Sequence, residues 1–325
     1  MYFLLIAVFL LALAVTYFLT PVVIKVSSEK GFVDRPNERK VHKEPIPYGG
    51  GIATFIGFLV ASCVGMAIWK HLNPEIPSRD VMLFCGFLVA AFLLCVTGFI
   101  DDIINMPAKV KLLCQIFTVS IVMFFGIIVN FVTNPFGEGL IYLPMYIAVP
   151  VTIFWIVGIT NAVNLLDGLD GLLGGVSVIS AIVFLFVAIM KGQLLVAGIM
   201  AALAGSALGF LKYNFHPAKI FMGDTGSLFI GSIFGIASVV GGLKTTTTVA
   251  MIIPFLIMGL PIFDTAWAII RRASNHQPIF KPDKGHIHHR LLALGLTQVQ
   301  AVLIIYSINV LLGLIALSVC YFTLR

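Results

Sequence analysis

Apolar stretches of about twenty residues, each long enough to cross a hydrocarbon core of roughly 30 Å, recur along this chain from end to end. Ten are legible, at about 2–24, 50–69, 81–100, 112–131, 144–160, 172–190, 193–211, 226–242, 248–270 and 299–323. A backbone in lipid must satisfy its own polar groups, so runs of this length read as helices. The expectation is an all-α polytopic integral membrane protein with about ten spans. Nine to eleven fit, because the fifth run is short and the sixth and seventh almost touch. No connection exceeds about thirty residues, so 1–325 reads as a single transmembrane domain.

Composition agrees. Charged residues make up 10% of the chain, against about 25% in soluble proteins. The first run is not expected to be a cleaved signal peptide: it is too long, and its basic residues follow rather than precede it. All five cysteines (Cys63, Cys85, Cys95, Cys114 and Cys320) fall in expected spans without metal-ligand spacing, so they read as small packing residues.

A formal charge of +6 invites a nucleic-acid partner, but the distribution of charge argues for none. Fifteen of the twenty Lys and Arg lie on alternate connections: 25–43, 109–111, 212–219 and 271–290. This is the positive-inside bias, and it puts the N-terminus outside and those connections in the cytoplasm. The same parity collects the other polar residues. Segments 29–51, 101–111, 161–171, 212–227 and 271–290 all follow odd-numbered spans, and the opposite loops carry nothing comparable. A transporter would spread polar groups through the membrane depth. Their collection at one surface suits an enzyme that meets a water-soluble reactant at a membrane face.

Four short motifs carry the chemistry. In NAVNLLDGLDGL (161–172), Asn161, Asn164, Asp167 and Asp170 recur every third position. On a continuous helix these drift through about half a turn, so they converge only if the helix breaks, which the glycines allow. A cation or phosphate site and a helix cap with Asp-Gly turns both explain the stretch. Asp101 and Asp102 end the third span, with Lys109 and Lys111 following; hard oxygen donors beside lysines suit Mg²⁺ and phosphate, and a solvated helix end remains open. In MGDTGS (222–227), Asp224 stands at the mouth of the eighth span, as a phosphate-side residue or as a cap. HIHHR (286–290) lacks zinc-site spacing and is flanked by basic residues, so His286, His288, His289 and Arg290 read better as phosphate ligands than as zinc ligands. Asp264, about two turns inside the ninth span, is either functional or bonded within the bundle, with Arg271 a candidate partner.

Taken together and in order, FIDD with KLL downstream (99–113), NAVNLLDGLDGL, FMGDTGS and GHIHHR resemble the polyprenyl-phosphate N-acetylhexosamine-1-phosphate transferases over the whole chain. The HIHH form, with RPNERKVH (35–42) and PIPYGGG (45–51), resembles the bacterial branch that moves GlcNAc-1-phosphate onto undecaprenyl phosphate. The resemblance implies a helical-bundle enzyme in the cytoplasmic (inner) membrane. It implies UDP-GlcNAc and undecaprenyl phosphate as substrates, and Mg²⁺, or Mn²⁺ in its place, as cofactor. It also implies roles: Asp224 and Asn164 for the metal, and Asp101 and Asp102 for positioning or deprotonating the lipid phosphate. Asp167 and Asp170 fall in the nucleotide pocket with Asn161 beside them, and Lys111 on the diphosphate with Lys109 and Asn105 as neighbours. The histidine motif falls on phosphate or sugar. Members of the family often form homodimers, though nothing in the sequence marks an interface. The rival donor is UDP-MurNAc-pentapeptide, and the rival class is a secondary transporter.

Overall fold

The computed structural model describes residues 2–34, 45–133, 139–242, 252–275 and 285–324; the RPNERKVH stretch, Lys281 and Lys284 lie outside them. Helices dominate: α1 (Tyr2–Glu29), α2 (Gly50–Leu72), α3 (Ser78–Ile104), α4 (Ala108–Met123), α5 (Met145–Asn164), α6 (Leu172–Met190), α7 (Leu194–Asn214), α8 (Gly223–Gly242), α9 (Ile252–Ile257), α10 (Gly259–Ser274), α11 (Ile287–Ala293) and α12 (Gln298–Thr323). Among the described residues, eight helices (α1, α2, α3, α5, α6, α7, α8 and α12) are long and apolar enough to cross a membrane.

The two remaining expected spans take other forms. The run at 112–131 becomes a shorter helix, α4, which starts four residues early and stops at Met123. Gly126, at φ 80°, turns the chain out of the helix. Phe131–Thr133 (β1) then pairs antiparallel with Leu140–Tyr142 (β2). The run at 248–270 is broken at Met258 into α9 and α10, and Pro261 falls in the first turn of α10, where its missing N–H costs no helical bond. A second small antiparallel pair joins Val33–Asp34 to Ile46–Pro47 beside the start of α2.

Helix α8 is the most enclosed span: 94% of its apolar window is buried, against 28% for α1 and α12. It lies among α2, α3 and α5, while α7 packs between α1 and α6. Lipid offers little hydrophobic drive for helix association, so small residues that admit close backbone approach do much of the packing. At the start of α8 this is literal. A Cβ on Gly51 of α2 would lie 2.2 Å from the Gly226 nitrogen, and one on Gly98 of α3 would lie 2.1 Å from the Asp224 carbonyl oxygen. The first turn of α8 is therefore clasped between two glycine faces, and Asp224 is fixed with it.

Candidate active site

The polar segments meet at one end of the bundle, around a cavity of about 1450 Å³. Its walls come from residues 31–34, 45–48, 101–111, 164–170 and 214–224, together with His289 and Gln298. At the opposite end, a small cavity of about 120 Å³ lies between α2, α3 and the α6–α7 connection. The parity seen in the sequence is thus a fact of the fold.

Helix α3 ends where Asn105 adopts a left-handed conformation (φ 51°) and its N–H bonds the Asp101 carbonyl at 2.8 Å. Pro107 then starts α4, which carries Lys111 back toward α3. The buried Asp101 carboxylate accepts the Met106 N–H at 2.6 Å and pairs with Lys111 Nζ at 2.8 Å. Lys111 Nζ also meets Asp224 Oδ2 at 2.5 Å. The other Asp224 oxygen accepts from the Asn164 amide at 2.5 Å, and that amide also reaches Ser227 Oγ at 2.7 Å. Four helices (α3, α4, α5 and α8) thus bring Asp101, Lys111, Asn164 and Asp224 into one connected group.

The adjacent acids part ways. Asp102 accepts the Asp224 N–H at 2.8 Å, the Thr225 N–H at 3.0 Å and the Thr225 hydroxyl at 2.6 Å. Its carboxylate is spent on the otherwise unpaired donors that open α8.

Helix α5 does break after Asn164, and α6 begins at Leu172 beyond Gly171 (φ 76°). The break lets Asn164, Asp167 and Asp170 line the cavity. Asp167 is enclosed in the turn, and burial, then the neighbouring Asp224 and Asp102, push its carboxyl up to about 8. Asp170 is held by His216 Nδ1 at 2.8 Å and accepts the Ala218 N–H at 3.1 Å. Asn161 is not among the cavity residues. It sits one turn inside α5 and exchanges amide bonds with the buried Gln115 of α4, at 2.5 and 3.2 Å. Where a role in nucleotide or sugar binding was expected, the structure shows its amide engaged between two helices.

Lys109 is exposed on the first turn of α4 and is not among the residues that line the cavity. In the histidine motif, His289 lines the cavity, His286 and His288 are buried behind it, and Arg290 is exposed. Burial, then the other two imidazoles, depress His288 to about 4, so its ring is neutral.

Sequence reasoning did not single out His216, Asp34, Tyr48 or Gln115. Tyr48 and Asp34 form a hydrogen-bonded pair on the cavity wall, and burial and that carboxylate raise the phenol above its usual range. His216 lay in a polar segment without a motif around it, Tyr48 lay within PIPYGGG with no role attached to it, and Gln115 was hidden inside an apolar run.

The donor set bears on a metal. Among the described residues no three His, Cys, Asp or Glu side chains are grouped to hold an ion alone. Mg²⁺ commonly takes one or two carboxylates and completes its shell with water and substrate phosphates. A carboxylate with an amide beside it, Asp224 with Asn164, fits that pattern. The described wall also sets six aspartates against two lysines, Lys111 and Lys219. Such a cavity disfavours an anionic ligand that arrives without a cation.

Comparison with known proteins supplies the relatives. Residues 84–242 match the family described as glycosyl transferase family 4. The chain is 42% identical over 309 residues to the probable undecaprenyl-phosphate N-acetylglucosaminyl 1-phosphate transferase of Bacillus subtilis, covering 95% of this chain and 83% of that one. It is 35% identical to the decaprenyl-phosphate N-acetylglucosaminephosphotransferase of Mycobacterium tuberculosis, covering 91% and 78%. It is 30% identical to the phospho-N-acetylmuramoyl-pentapeptide-transferase of Staphylococcus aureus, covering 95% and 97%.

Proposed function

The chain belongs to glycosyl transferase family 4, and from that membership we propose that it transfers GlcNAc-1-phosphate from UDP-GlcNAc to undecaprenyl phosphate. An oxygen of the lipid phosphate attacks the β-phosphorus, the bond to UMP breaks, and undecaprenyl-diphospho-GlcNAc forms. The observation that carries this is the junction of Asp101, Lys111, Asn164 and Asp224 at the polar end of a membrane bundle. A soluble diphosphate and a lipid head group can both reach that place. The higher identity to a GlcNAc-1-phosphate enzyme than to the muramoyl-pentapeptide enzyme favours the smaller donor.

Phosphoryl transfer between two anions is mainly a matter of positioning and charge. Mg²⁺ would be held by Asp224 and the Asn164 amide oxygen, and when bound it supplies neutralisation of the diphosphate. Lys111, already between two carboxylates, adds the protein's own positive charge on the same side. Both acids line the cavity, but it is Asp101 that holds Lys111, so it is the acid of the pair placed to orient the lipid phosphate through that ammonium. Asp102 serves by fixing the first turn of α8. No strong base is required, because a phosphate monoester with a second pKa of about 6 is mostly dianionic at neutral pH. Asp167 and Asp170 with His216 line the side where the nucleotide would sit, and His289 closes another wall. The polar end faces the cytoplasm of a bacterial inner membrane, which puts the N-terminus outside, in keeping with the bias of Lys and Arg.

The test is UMP release by the purified protein. Release should require UDP-GlcNAc, undecaprenyl phosphate and Mg²⁺ together, and fail with UDP-MurNAc-pentapeptide. Asp224→Asn should lower turnover by about 100-fold or more, the scale seen when a transition-state charge contact is lost, while the protein elutes and melts as wild type. Full activity of Asp224→Asn would remove the metal assignment.

A further inference from the structure

Asp264 lies on α10, away from every motif used above, yet its side chain and that of His286 are 8% and 6% exposed and 2.8 Å apart. One carboxylate oxygen meets His286 Nδ1, and the other accepts the Ile287 N–H at 2.8 Å, the first helical N–H of α11. Two turns further along α10, Arg271 donates to the Gly285 carbonyl at 2.8 Å. Residues 285–287 are thus stitched to α10 at three points, and α11 projects from that seam.

What α11 presents follows from the anchor. His286 stacks parallel to His288 (5.9 Å, 3°), and His288 leans on His289 at 4.2 Å. His288 also abuts the turn that carries Asp167: a Cβ on Gly168 would lie 2.5 Å from His288 Nε2. His289 is the ring that reaches the cavity wall. A carboxylate accepting from one imidazole nitrogen fixes which nitrogen carries the proton and how the ring is turned.

We propose that Asp264 is a positioning residue of the active site: by holding His286 and the first N–H of α11, it sets His288 against the Gly168 turn and His289 into the cavity. The proposal rests on the transferase reading above. Asp264 is not among the residues that line the cavity; it acts through α11.

The experiment uses the full chain in lipid nanodiscs, comparing wild type, Asp264→Ala, Asp264→Glu, His286→Ala and the double variant Asp264→Ala/His286→Ala. Loss of folded protein alone lowers apparent kcat and leaves KM unchanged. Displacement of α11 should raise KM for UDP-GlcNAc about tenfold, the lower range for loss of a partner that orients a functional histidine. Asp264→Glu should recover part of this, and the double variant should be no worse than Asp264→Ala. Unchanged KM in Asp264→Ala, or single effects that multiply in the double, would overturn the proposal. If Asp264→Ala does not fold, Asp264→Asn keeps the volume and one acceptor oxygen and is judged by the same KM. ¹⁵N spectra of labelled histidine give an independent readout: the Nδ1–H form of His286 should be lost in Asp264→Ala while that of His216, which faces Asp170 in the same way, stays, and no difference sinks the proposal. A wild type that ignores UDP-GlcNAc would instead sink the transferase reading, and the spectra would still decide the role of Asp264.

Discussion

Single residues show how far a motif can be trusted. Asp101 and Asp102 are neighbours in sequence, but a helix points them about 100° apart, and here one meets Lys111 while the other caps α8. Their different duties predict different phenotypes. Asp102→Ala leaves three donors of the first α8 turn without their acceptor and should destabilise the protein by about 1–3 kcal/mol, the range for a lost cap with buried donors. A lowered melting temperature in detergent, without any ligand, is the measurement. An unchanged melt would mean the cap contributes nothing. The same logic separates Asn161 from Asn164: both stand in one repeat, but only the second stands at the helix end, where it faces the cavity. The repeat was legible in the sequence. Which of its members would be spent on a neighbouring helix was not, because that depends on where Gln115 arrives.

Elements were more legible than contacts. The apolar runs place α1, α2, α3, α5, α6, α7, α8 and α12 to within a few residues, since a membrane fixes both length and polarity. Hydropathy could not see the shortening of α4, because Gly126 and the β-branched and aromatic residues that follow are as apolar as a span. It could not see the break before α10 for the same reason. The α4–α5 seam offers a test at this scale. Gln115 and Asn161 satisfy each other in a buried place, one turn beyond Lys111 and one turn before Asn164. Gln115→Ala and Asn161→Ala should each cost about 1 kcal/mol, as interhelical polar pairs in membranes do. The double variant should cost little more than either, since each single change already strands its partner. Denaturation in mixed micelles provides the cycle, and additive losses would dissolve the pair.

At the scale of the whole molecule, the gathering of the described polar connections at one end was readable in the sequence, and it places the cavity before any side chain is known. With the native cysteines replaced, single cysteines at Asn105 and Pro217 should react with an impermeant reagent from one side of a sealed vesicle, and one at Gly139 from the other. Labelling of all three from a single side would undo the architecture. The gathering of the described polar segments around one cavity at one end has its own consequence. A catalyst open on one leaflet leaves its amphiphile there, and a sugar diphosphate does not turn over through oil unaided. Any polymer destined for the other surface therefore needs a separate translocating machine, to which this protein contributes cargo.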